Sequence, residues 1–152
     1  MYSKVKVLGH PVHPMLVSFP IVFYTAAFAC FCVFQNTDNL FWFRVAYIAN
    51  VAGVCAAVLA AIPGSIDLYA GVPSHTQAKK RGYLHAVLNV TSLLLFATNL
   101  YLIWGSYNAE VVPQILNVLI TGLGFSLTVV ASYHGYALVE QEQTKVGKVV
   151  TT

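Results

Sequence analysis

The hydrophobic pattern of this chain consists of long apolar runs separated by short polar breaks. The first run covers about residues 15–34, and Gln35-Asn-Thr-Asp-Asn39 interrupts it as a polar turn. Phe41-Trp42-Phe43 then opens a second run, about 42–62, as an aromatic belt at a membrane interface, and Pro63-Gly64 punctuates its end. The segment from Gly71 to Gly82 is the long polar loop, where Ser74 or Thr76 could cap a short interfacial helix. A third run, about 83–104, closes on Tyr101, Trp104 and Tyr107. The stretch from Asn108 to Pro113 is a turn, a fourth run covers about 114–139, and a polar tail over 140–152 is expected to be loosely ordered. Each run approaches the ~20 residues a helix needs to cross the hydrocarbon layer. The expected fold is an all-α, integral membrane four-helix bundle forming one domain.

Composition narrows the class further. Hydrophobic residues make up 58% and charged residues 9% of the chain, against roughly 25% charged in a soluble domain. The first run is too long for a typical signal-peptide core and is read as a span. The net charge of +3 is small and gives no reason to expect nucleic-acid binding. Its placement matters more. Lys4, Lys6, Lys79, Lys80, Arg81, Lys145 and Lys148 fall at one end of the bundle, and Arg44 at the other. The positive-inside rule then places both termini in the cytoplasm. Cys30, Cys32 and Cys55 lie within apolar runs and read as small buried hydrophobes.

Candidate chemistry gathers at that same end. Gly9-His10-Pro11-Val12-His13-Pro14 leads into the first span, with Pro14 suited to the first helical position and the histidines on a stiff, non-helical segment. Pro20 is expected to kink the helix that follows. Asp67 follows span two, His75 lies in the loop, His85 opens span three and His134 is near the end of span four. Helical spacing puts His85, Asn89, Ser92, Phe96 and Asn99 on one stripe. Polar groups in a span face the bundle interior, because lipid offers them no partners. Asn50, Gly53, Ala57, Ala60, Gly64 and Asp67 share a face of span two, and Asn117, Thr121, Gly124, Thr128 and Gly135 one of span four. His134 lies off that last face and ranks below His85 as a candidate.

The segments Gly9-His-Pro-Val-His-Pro-Met-Leu-Val-Ser-Phe-Pro20, Ala61-Ile-Pro-Gly-Ser-Ile-Asp67, His75-Thr-Gln-Ala and Gly82-Tyr-Leu-His85-Ala-Val-Leu-Asn89 carry a resemblance. They resemble the bacterial membrane family known as domain of unknown function twenty-two thirty-one. The likeness is close over the first two-thirds of the chain. Tyr133-His-Gly-Tyr-Ala-Leu-Val139 resembles a segment where the family often has two glycines, so His134 stands in place of one of them. The resemblance favours His10, His13, Asp67, His85 and Asn89 as shared functional positions. It implies a bacterial inner membrane location. Relatives joined to Rieske or cytochrome c domains imply a redox partner, either such a protein or a quinone.

Three functions fit these residues. One is a haem b protein in electron transfer, with His13 or His10 paired with His85 as axial ligands. Asn89 or Asp67 would then fix an imidazole's second nitrogen, and Lys79, Lys80 or Arg81 would meet the propionates. The second is a metal or proton site without haem, with a first-row transition metal held by His10, His13, His85 and Asp67 and His134 a lesser candidate. The third is a structural or assembly subunit of a membrane complex or oligomer, or a small-molecule permeation unit, without a cofactor, its polar stripes serving helix packing. An electron carrier or complex subunit is expected rather than a free-standing enzyme. No oriented nucleophile triad or phosphate loop is present in the sequence.

Overall fold

The computed structural model describes residues 3–109 and 115–150. Strands β1 (Lys6–Val7) and β2 (His10–Pro11) pair antiparallel, Val7 opposite His10. Leu8 and Gly9 between them both have positive φ, 49° and 82°, the handedness a two-residue hairpin turn requires. Helices α1 (Val12–Leu16), α2 (Ser18–Thr37), α3 (Leu40–Ile66), α4 (Gln77–Leu102) and α5 (Ile115–Val150) follow. Among the described residues, four stretches are long and apolar enough to cross a membrane: Val12–Thr37, Leu40–Gly71, Gln77–Leu102 and Ile115–Tyr136. The all-α four-helix architecture expected from the apolar runs is present.

Several boundaries differ from expectation for local reasons. Pro20 lacks an N–H, and its ring would press on the carbonyl of Leu16. The helix accordingly steps at Val17, between α1 and α2, three residues ahead of the proline. Pro11 rather than Pro14 stands at the start of α1, so His13 is helical instead of extended. Pro63-Gly64 does not end the second span, since α3 runs on to Ile66 and a π-helical turn, Asp67–Gly71, extends it. Thr76 caps α4 directly, its Oγ1 accepting from the Lys79 N–H at 3.1 Å, so the anticipated interfacial helix is the start of α4 itself. Helix α5 continues to Val150, where a loose tail was expected. The turn ending at Pro113 and the start of span four at Gln114 lie partly outside the described residues, as do the side chains of Lys145 and Lys148.

Helix α2 packs against α3 and α5, and α4 packs against the same two, so α2 and α4 are diagonal across the bundle. Leucines and valines such as Val87, Leu94, Leu119 and Leu123 point outward. Lipid tails are as apolar as leucine, so burying these side chains would gain little, and close packing decides what lies inside. The interior is filled by Phe31, Phe43, Phe96 and Ile103, with Asn50, Ser92, Asn99, Asn117, Thr121 and Thr128 on the three expected stripes. The Ser92 hydroxyl donates to Gly124 O at 2.8 Å and lies 2.7 Å from Thr128 Oγ1, tying α4 to α5. Interhelical bonds of this kind contribute about 0.6 kcal/mol each. Cys30 is buried and Cys32 half-buried, but Cys55 is exposed on the outer face.

The bundle is an internal pair. His13 and Tyr24 in the first hairpin correspond to His85 and Phe96 in the second, each 72 residues on. Gly53, Ala60 and Gly64 of α3 correspond to Gly124, Ala131 and Gly135 of α5, each 71 residues on. Tyr24 and Phe96 stack across the bundle with ring centres 3.7 Å apart and planes 1° from parallel. A Cβ on Gly53 would lie 2.7 Å from the Tyr24 ring, and one on Gly124 would lie 2.8 Å from Phe96. Both hairpins thus use the same glycine–aromatic contact. A pseudo-two-fold axis along the bundle relates them.

Candidate functional site

The same axis runs between two histidines at one end of the bundle. His13, in the first turn of α1, and His85, in the third turn of α4, approach with ring centres 6.3 Å apart and planes at 88°. Each ring is oriented by one device used twice. His13 Nδ1 lies 2.9 Å from the carbonyl of Ala60 on α3, and His85 Nδ1 lies 2.8 Å from the carbonyl of Ala131 on α5. A carbonyl can only accept, so both Nδ1 atoms carry a proton, and the lone pair of the neutral form of each ring lies on Nε2.

Glycine makes this geometry accessible. A Cβ on Gly64 would stand 2.6 Å from His13 Cε1, and one on Gly135 would stand 2.9 Å from His85 Cε1. Both contacts are shorter than real Cβ atoms tolerate, so each imidazole occupies the space that a side chain would need.

The two halves differ at Nε2. Asn89 Nδ2 donates to His85 O at 2.9 Å and lies 3.2 Å from His85 Nε2, where it meets the lone pair. Its counterpart in the first hairpin is Val17. His13 Nε2 has no hydrogen-bond partner among the described residues. The structure therefore brings His13, His85 and Asn89 together, the last two at the helical spacing seen in the sequence.

Other expected site residues are engaged elsewhere. His10 is exposed on β2, its Nδ1 bonded to Leu8 O at 3.0 Å within the hairpin. Asp67 is 1% exposed and accepts from the Ser3 hydroxyl at 2.7 Å and from the backbone N–H groups of Lys4 and Val5 at 2.7 and 3.3 Å. It holds the N-terminal segment, not an imidazole. Lys79 is buried, and its ammonium donates to the carbonyls of Leu68, Tyr69 and Val72, stopping the π-helical turn where carbonyls lack helical partners. Arg81 is half-buried and Lys80 exposed on the first turns of α4. His134 is half-buried on α5 with its ring against Tyr133. Among the described residues no three histidine, cysteine or carboxylate groups gather in a metal-binding arrangement.

Ala60, Ala131, Gly64, Gly135 and the Tyr24–Phe96 pair do not stand out as site residues in the sequence. A signal is there as spacing: histidine eleven residues before an aromatic, twice, and glycine eleven residues before glycine, twice. The family model described as "Predicted membrane protein (DUF2231)" matches residues 9–148. No curated protein and no solved structure matches the chain.

Proposed function

We propose that this chain, which belongs to the DUF2231 family of membrane proteins, binds one haem b between His13 and His85 and carries electrons at the membrane. The observation that carries this reading is the pair of imidazoles on the bundle axis, each with its tautomer set by a backbone carbonyl. Two imidazoles that ligate one ion through facing nitrogens have ring centres roughly 6 Å apart, given metal–nitrogen bonds of about 2.0 Å and ~1.1 Å from ring centre to nitrogen. The observed separation of 6.3 Å agrees.

The number of ligands favours haem over a bare ion. A zinc or non-haem iron site needs three or four protein donors, whereas the porphyrin itself supplies four and leaves two axial positions. Diagonal helices of a four-helix bundle are suited to supply that pair. Ligation by His85 requires the Asn89 amide to leave Nε2. Bound haem would supply a one-electron couple. The protein's part is to hold both rings in place between its helices.

The orientation that completes this reading places the histidine end and both termini in the cytoplasm of a bacterial inner membrane, with a Rieske protein, a cytochrome or quinone as electron partner. The lysine and arginine distribution and the family resemblance support it. The test is an absorption spectrum of detergent-purified protein from haem-replete cells, as isolated and after dithionite. A Soret band with sharp reduced α and β bands, abolished in His13→Ala and in His85→Ala, is the expected result. A colourless wild-type protein that takes up no added haemin sinks the proposal.

A further inference from the structure

We infer that Asp67 is a positioning residue for His13, acting through the N-terminal strap that it clamps to α3. The inference rests on reading His13 as a ligand, but the clamp is read from contacts alone. Asp67 is 1% exposed and receives three hydrogen bonds from three consecutive residues, Ser3, Lys4 and Val5. A buried carboxylate demands such partners, because leaving it unpaired costs several kcal/mol. The strap therefore cannot detach without stranding the charge.

The clamp reaches His13 through very little chain. Val5 donates its N–H to Asp67 at 3.3 Å, and its carbonyl accepts from the N–H of Val12 at 3.1 Å. Val12 immediately precedes His13. Between these points the chain runs out and back through the β1–β2 hairpin, whose Leu8-Gly9 turn leaves no slack. The other fixed point of His13 is on the same helix, since its Nδ1 bonds Ala60 O and its ring fills the space at Gly64. Ala60, Gly64 and Asp67 recur at helical spacing along one face of α3 and its π-helical extension. One stripe thus holds the histidine ring directly and its backbone through the strap. In the second hairpin His85 needs no such device, because α4 carries it more than two turns from its start.

The experiment is nuclear magnetic resonance on the ligand-free, full-length protein in micelles, with ¹⁵N-labelled histidine, comparing wild type with Asp67→Asn. The substitution is expected to shift or broaden the His13 Nδ1–H signal, to leave the His85 signal in place, and to speed exchange of the Lys4 and Val5 amides about tenfold or more. Faster amide exchange with an unmoved His13 signal overturns the positioning role. Unchanged exchange overturns the clamp itself. If Asp67→Asn does not fold, Ser3→Ala removes one of the three bonds instead. The same two signals then decide the positioning role and the clamp in the same way. None of these outcomes depends on haem. A colourless protein therefore defeats the proposed function, and with it the ligand reading of His13, while these signals still decide whether Asp67 holds the ring in place. An unmoved His13 signal defeats the positioning role without touching the haem reading.

Discussion

Tyr24 and Phe96 lie face to face on the bundle axis, ring centres 3.7 Å apart and planes 1° from parallel, each backed by a glycine of its own hairpin. Removing one ring leaves a void that neither glycine side can fill. Phe96→Ala is expected to cost about 3 kcal/mol of stability, measured by denaturant-induced unfolding in mixed micelles. Phe96→Tyr and Tyr24→Phe, which preserve the stack, should each cost less than about 1.5 kcal/mol.

The glycines behind the histidines make a sharper prediction. Gly64→Ala forces a methyl group into the His13 ring, and Gly135→Ala does the same to His85. Because each ring is held by a carbonyl on the same helix as its glycine, it cannot yield without losing that bond. Both variants should fold with about 1–3 kcal/mol less stability and lose haem affinity at least about tenfold, read by haemin titration. Gly122→Ala, where a Cβ would meet only Phe28 at 3.0 Å, should leave haem affinity unchanged.

In the proposed haem complex, Asn89 would compete with iron for the lone pair of His85. Asn89→Val, which makes the second hairpin like the first at this position, should tighten haem binding several-fold, about 1 kcal/mol at most for one neutral hydrogen bond. Equal or weaker binding in the variant would show that the amide does more for the bound state than for the free one.

Lys79 illustrates a structural cation in a position suited to a ligand. Lys79→Met removes the donor to three carbonyls of the π-helical turn while keeping the apolar stem. The expected loss is about 1–3 kcal/mol, with the haem spectrum of the folded fraction unaltered. A weakened spectrum at full stability would restore Lys79 as a propionate partner.

Much of this was legible in the chain. The apolar runs gave four spans because the bilayer fixes their length, and the stripes of Asn50, Ser92, Asn99, Asn117 and Thr128 revealed inward faces because lipid excludes them. His85 and Asn89 were recoverable from the same periodicity, whereas His13 stood out by the paired His-Pro entry to the first span. The partners of the two rings were not, since a backbone carbonyl belongs to every residue and Ala60 and Ala131 carry no chemical mark. Asp67 looked like a partner for an imidazole because both lie at one end of the bundle. Its true partners are a serine hydroxyl and two main-chain amides about sixty residues away in sequence, which no spacing rule points to. Boundaries misled where proline was read as punctuation: Pro63 sits inside α3, and the step that Pro20 demands falls at Val17.

The proposed haem site would draw one histidine from each hairpin, and residues 67–76 join the hairpins. Neither half alone holds both His13 and His85. Separated in that connector and expressed as two polypeptides, the halves would have to find each other in the bilayer before either could take up haem, and colour would then report reassembly.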